Sequence, residues 1–226
     1  MRRSMFIGLG LSCLCLASLS IGCGSSSSDS AKLRLVNANP DQSSLNLLVD
    51  TKSVASDVSY GAASSYMGVS ATSHEVQVEP ANSSTPIIDS TLTFSSGSDV
   101  SLISANYSYS VTSLVLSDDN SAPPSGDFKL RIVNVSPGMG QQDIYVVTSG
   151  TDIGSSDPVF SSLGFGVASS YVTLSAGDYD VVFTPPGSKF INLTTSLTLS
   201  AGQIRTVLAL NNPVGSYLAT VLNDVN

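Results

Sequence analysis

Two stretches of this chain carry the same motifs in the same order, and that repetition limits the possible folds more than any other feature. Lys32-Leu33-Arg34-Leu35-Val36-Asn37 with Pro40 recurs 97 residues later as Lys129-Leu130-Arg131-Ile132-Val133-Asn134 with Pro137. Tyr60-Gly61-Ala62-Ala63-Ser64-Ser65-Tyr66 recurs 105 residues later as Phe165-Gly166-Val167-Ala168-Ser169-Ser170-Tyr171. The longer step also carries Val76, Val78 and Pro80 onto Val181, Phe183 and Pro185, and Leu92-Thr93 and Gly97 onto Leu197-Thr198 and Gly202. Ordered matches over about 90 residues describe a duplicated module. The change of step places an eight-residue insertion in the second copy, within Thr148 to Pro158.

Inside each copy the hydrophobic period is two. Leu45, Leu47 and Val49 alternate with Asn46, Leu48 and Asp50, and Val76 and Val78 alternate with Glu75, Gln77 and Glu79. Such alternation marks half-buried strands. Asn39-Pro40-Asp41, Ser96-Gly97-Ser98, Ser136-Pro137-Gly138 and Pro185-Pro186-Gly187 punctuate the strands as turns. The mature chain shows no amphipathic helical stripe. The expected fold is all-β: two tandem antiparallel β-sandwich domains of immunoglobulin-like size behind a cleaved lipoprotein leader. The expected boundaries are 1–22 for the leader, 23–30 for a tether, 31–118 and 127–226 for the two sandwiches, and 119–126 for a polar linker stiffened by Pro123-Pro124.

Residues 1–23 read Arg2-Arg3, an apolar run from Met5 to Ile21, then Gly22-Cys23. This is the order of a secretory leader. Leu19-Ser20-Ile21-Gly22-Cys23 resembles the lipobox of bacterial lipoproteins, with Ser20 where Leu is usual three places before the cysteine. Cys13 and Cys15 leave with the leader, so Cys23 is the single thiol of the mature chain and the expected lipidation site. Acyl CH₂ groups transfer into a bilayer at roughly 0.8 kcal/mol each, which makes a multiply acylated cysteine a stable anchor. The Ser-rich stretch 24–30 is a flexible spacer. The expected localisation is exported and membrane-anchored, at the outer membrane or cell surface if the host is Gram-negative. Loss of Arg2 and Arg3 moves the net charge from −8 to −10, which disfavours nucleic acid as a partner.

The order K-L-R-[LI]-V-N-x-x-P, an alternating strand, [YF]-G-x-A-S-S-Y, x-V-x-[VF]-x-P and L-T-x-x-x-G is similar to the DUF4397 family, bacterial exported proteins of unassigned function that often carry tandem copies. The resemblance spans nearly all of residues 31–224. It implies a β-sandwich and export, and supplies no catalytic residues. Where the family's first motif often has His, this chain has Asn37 and Asn134, so no role resting on that His carries over.

Catalytic chemistry has little to stand on. His74 is the sole histidine, its repeat partner is Tyr179, and no G-x-S-x-G elbow accompanies it, so a half-buried polar-tipped position is the plainer reading. One His cannot anchor a zinc site of the usual kind. Asp118, Asp119, Asn120, Asp152 and Asp157 are read as solvated loop groups, since none matches the calcium-loop pattern. Gly164-Phe165-Gly166 is read as a turn rather than a phosphate loop. No catalytic residue, metal or cofactor is expected. Tyr66 and Tyr171 recur in both copies and are read as packing residues. Function is expected where the copies differ: at Tyr107 and Tyr109 in one turn, and at Thr151, Asp152 and Asp157 in the insertion. The expected function is a non-enzymatic, lipid-anchored envelope protein that displays two modules for binding or spacing. Its partners are the membrane through the N-terminal lipid, and envelope polysaccharide or protein. The alternatives are a structural subunit whose β edges pair with neighbours, and a glycan-active hydrolase using the carboxylates of Asp178 and Asp180.

Overall fold

The computed structural model describes residues 29–225, so the leader, Cys23 and most of the tether lie outside the described residues. In the first half, β1 (Ser30–Ala38), β4 (Met67–Ser70), β7 (Asp99–Ala105) and β8 (Thr112–Asp118) form a sheet in the order β4-β1-β7-β8. A second sheet has β2 (Ser44–Val49), β3 (Lys52–Ser59), β5 (Ser73–Pro80) and β6 (Ile88–Thr93) in the order β3-β2-β5-β6. The second half repeats the plan. There, β9 (Asp127–Asn134), β12 (Val167–Ala168), β16 (Ile204–Asn211) and β17 (Tyr217–Val225) run β12-β9-β16-β17, with β13 (Val172–Ser175) also paired to β9. Its other sheet sets β10 (Gln142–Thr148), β11 (Phe160–Leu163), β14 (Gly177–Thr184) and β15 (Leu193–Leu199) in the order β11-β10-β14-β15. The fold is all-β, and no α-helix occurs among the described residues.

The sheets are not wholly antiparallel as the alternation suggested. β1 runs parallel to β7, from Lys32 opposite Asp99 to Ala38 opposite Ala105, and β9 runs parallel to β16. The chain leaves β1, builds the whole neighbouring sheet and returns as β7, and a return after so long a crossover can be parallel where a hairpin cannot.

The four sheets lie in layers. One apolar core fills the first half, with Leu33, Leu35, Leu47, Val76, Val78 and Leu102 buried together. A second fills the other half around Phe128, Leu130, Ile132, Ile144, Phe183 and Val207. A third lies between the halves, where Val36, Ala38 and Ile103 meet Val133, Leu208 and Leu210. The inner strands are therefore covered on both faces, and β1, β7, β9 and β16 are buried along nearly their whole length. That double burial covers polar residues of these strands too, among them Arg34, Ser101, Arg131 and Thr206.

The insertion has a packing role. Ile153 in its short 3₁₀ turn is buried against Tyr145 and Val182 on the outside of the β10–β14 sheet. Asp152 accepts a hydrogen bond from the Gly154 N–H at 2.9 Å and so caps that turn. Lys189 ties the loop down by donating to the Ser156 carbonyl at 2.5 Å. The linker is also built in. Buried Lys129 pairs with the Asp119 carboxylate at 2.7 Å and donates to the Asp119 carbonyl and to Ser121. Hydrogen bonding from Lys129 and Ser121 holds the Asp119 carboxyl down at about 2.

Candidate functional site

The repeated motif residues are each consumed by structure. Asn37 donates from Nδ2 to the carbonyls of Gln42 (3.1 Å) and Val58 (3.0 Å), and its Oδ1 accepts from the Asn39 N–H. Asn134 does the same toward Gly140, Leu163 and Ser136. In both copies the asparagine ties the turn after the inner strand to an edge strand of the outer sheet. Gly61 and Gly166 sit at φ 76° and 75°, where a side chain would be strained. Ser64 and Ser169 accept from the N–H groups of Leu35 and Ile132.

The two motif arginines lie buried between the halves and reach across. Arg34 donates from Nε to Ser101 in its own half at 2.7 Å and from Nη2 to Asp224 of the other half at 2.5 Å. Arg131 donates to Thr206 in its own half and, at 2.6 Å, to Asp118 of the first. Ser101 and Tyr66 also donate to Asp118, and Thr206 to Asp224. Tyr66 covers the Arg34 guanidinium 4.6 Å from its ring centroid, and Tyr171 covers Arg131 at 4.8 Å. Burial of Arg34 works against its charge, yet Asp224 and its other neighbours carry its pKa above the ordinary value. Burial pushes both phenols up. Tyr66 and Tyr171 are thus packing residues with a specific task, which is to lid the ion pairs. Two grooves flank this seam. One of about 540 Å³ runs between residues 115–119 and 168–171, the other, of about 410 Å³, between 61–65 and 220–223.

The asymmetric tyrosines stand outside the ion-pair network. Tyr107 and Tyr109 stack with ring centroids 5.6 Å apart and planes 9° from parallel. Tyr109 is 84% exposed. The turn is pinned from both sides. Asp41 accepts from the Ser108 N–H and hydroxyl, and Asn106, at φ 70°, donates to the Ser110 carbonyl at 2.8 Å. Asp41 was missed by sequence reasoning, although the signal was there, since its counterpart is Gly138. Tyr107 accepts from the Asn211 amide at 3.3 Å, which places the β16–β17 loop with its exposed Val214 beside the tyrosine turn.

The other candidates stand apart from this turn. In the insertion, Thr151, Asp152 and Asp157 are exposed, and Asp152 is engaged as the cap. Among the described residues no group of three His, Cys, Asp or Glu side chains is placed to hold a metal ion. Asp178 and Asp180 accept from Thr198 and Ser196, each at 2.6 Å, along the outer face of β14 and β15. His74 has partners that sequence spacing hid. Its Nδ1 lies 2.6 Å from Asp50, and its Nε2 lies 2.8 Å from the Ser70 hydroxyl and 3.1 Å from the Ser70 carbonyl. The hydrogen bond to Asp50 raises the His74 pKa. The grouping ties the β2–β3 and β4–β5 turns together.

No curated protein matches the chain. Among solved structures, it is similar to a family 26 carbohydrate-binding module from Eubacterium rectale in complex with maltoheptaose, at 12% identity and TM-score 0.29, over 87% of this chain and 98% of that one. It is similar also to streptococcal family 41 carbohydrate-binding modules, at 13% identity and TM-score 0.27, over 85% and 97%. The Bacillus anthracis TIE protein aligns at 12% identity and TM-score 0.26, over 81% of this chain and 34% of that one. Residues 31–145 match the family described as Domain of unknown function (DUF4397). With half of its length matched and the motifs of that family holding its strands and turns together, the chain belongs to the DUF4397 family.

Proposed function

We propose that this protein is a lipid-anchored, non-enzymatic envelope protein whose two β-sandwich modules form one body, anchored at one pole and binding glycan at the other. The observation that carries this reading is strand direction. β1 begins at Ser30, at the end of its sheet where Lys32 stands opposite Asp99 and Asp99 opposite Asp118, and the Arg34–Asp224 pair joins β1 to the end of the other inner sheet where Ile204 stands opposite Val225. The Tyr107–Tyr109 turn and the Asn211–Tyr217 connection lie at the opposite strand ends. A lipid on Cys23 would hold the first pole at the membrane and turn the tyrosine pole outward.

The chemistry of that pole suits a pyranose ring. An exposed, pre-stacked tyrosine offers a flat apolar face to sugar C–H groups, and its partner ring and Asp41 hold it in place at little entropic cost on binding. The test is capture of polysaccharide, peptidoglycan and protein fractions of the native envelope by the full chain. We expect saturable capture of a glycan fraction, reduced about tenfold or more by Tyr109→Ala with an unchanged melting temperature. Capture of protein alone, or full capture by the variant, refutes the site. In the same material, Cys23→Ser is expected to lose lipid labelling and membrane retention, and retention would refute the anchor.

A further inference from the structure

The outer sheets end in unequal edges. β3 is interrupted by register shifts against β2 and by Asp57 at φ 54°. β11 has only four residues, with Ser162 at φ 54°. β6 carries Asp89. Shortness, bulges and charge each discourage another strand from pairing. β15 has none of these protections: Leu193-Thr194-Thr195-Ser196-Leu197-Thr198-Leu199 is uncharged, free of proline and glycine, and in unbroken register with β14 along its whole length. Among the described residues nothing pairs with its other side. The long edges of the inner sheets differ, since β8 and β17 each face a loop of the opposite half across a groove.

The residue order says what fits that edge. Turned end for end about Ser196, the strand meets its own likeness. Leu193 falls opposite Leu199, Thr195 opposite Leu197, Thr194 opposite Thr198, and Ser196 opposite itself. Leu193, Thr195, Leu197 and Leu199 occupy the core-facing positions and the other three the outer face. Hydroxyl therefore meets hydroxyl along the outer face and leucine meets leucine at both ends of the inner face, with Thr195 against Leu197 between them. The nearest charges, Asp178 and Asp180, stand one strand back and are hydrogen-bonded by Thr198 and Ser196. We infer that β15 pairs antiparallel with β15 of a second copy, about a two-fold axis at Ser196, fusing two four-stranded outer sheets into one of eight. A strand from another protein would need no such self-complementarity, so the occupant is a copy of this chain.

The inference is independent of the glycan reading and has its own test. Sedimentation of the full chain in detergent should show a monomer–dimer equilibrium. Under mild oxidation, Ser196→Cys should form a disulfide between copies, located at 196 by peptide mapping, because opposed β carbons across an antiparallel pair lie close to disulfide distance. Thr194→Cys should link to its own copy at least about tenfold less, since those residues stand ~13 Å apart along the joint. Adding Thr198→Cys to Thr194→Cys should restore linkage. A chain that stays monomeric at millimolar concentration, or 194–194 links as abundant as 196–196 links, overturns the proposal.

Discussion

His74 shows how much a single side chain can carry once the fold supplies its neighbours. Its pKa is raised chiefly by the hydrogen bond to Asp50, and that of Asp50 is lowered by the same bond. A raised histidine stabilises the fold fully below its ordinary value of 6.5 and loses that contribution as pH rises through the folded value. A lowered aspartate contributes above its ordinary value of 3.8 and loses that as pH falls. The clasp is therefore strongest in the acid-to-neutral window between those values. We expect the melting temperature to fall as pH rises above the ordinary histidine value of 6.5, and His74→Gln to remove that component, as circular dichroism across the pH series would show. An unchanged pH profile in the variant would mean the clasp does not stabilise the fold. The asparagines of the first motif teach a related lesson at this scale. Asn37 and Asn134 recur because the same turn must be tied to the same edge in both halves, and removing a buried amide that serves backbone carbonyls would leave them unpaired.

Among the elements, the insertion and the edge strands separate the halves most clearly. The outer face of the first half's outer sheet carries Gln77 and Glu79, as expected of a strand facing water, whereas the second half places Tyr145 and Val182 outward. The eight extra residues account for that difference by laying Ile153 over both. Ile153→Ala should lower stability by about 2 kcal/mol, read from urea denaturation, because it empties a buried contact at the rim rather than in a central core. No loss of stability would mark the insertion as a free loop. The linker likewise behaves as an element of the fold. Its Asp119 clamps Lys129 instead of spacing two independent bodies.

At the scale of the whole molecule, the third core and the crossed ion pairs make the halves interdependent. Each half's arginine is neutralised by a carboxylate from the last strand of the other. Removing Asp224 leaves the buried Arg34 guanidinium with the Asp118 carboxylate alone, 4.0 Å away, a change of about 3 kcal/mol. We expect scanning calorimetry to show one unfolding transition for the native chain. Asp224→Ala should lower stability by that amount, and the double variant Asp118→Ala/Asp224→Ala should unfold in two steps. Two transitions in the unaltered chain would show that the seam does not couple the halves.

The all-β class and the turns were legible in the sequence, because period-two patterning and turn chemistry are local properties of the chain. Tyr66 and Tyr171 could be read as packing residues from their recurrence, and Tyr107 and Tyr109 stood out by their asymmetry. What Arg34, Asp118 and Asp224 do could not be read in this way. Their partners lie as far as 190 residues along the chain, and a strand pattern records that a face is buried without recording what covers it. The parallel pairings, the sheet packed on sheet between the halves, the Asp41 hold on the tyrosine turn and the exposure of the β15 edge were decided only by tertiary structure. Each depends on which surfaces meet, and that is settled by the summed burial and pairing of the whole chain rather than by any local run of residues.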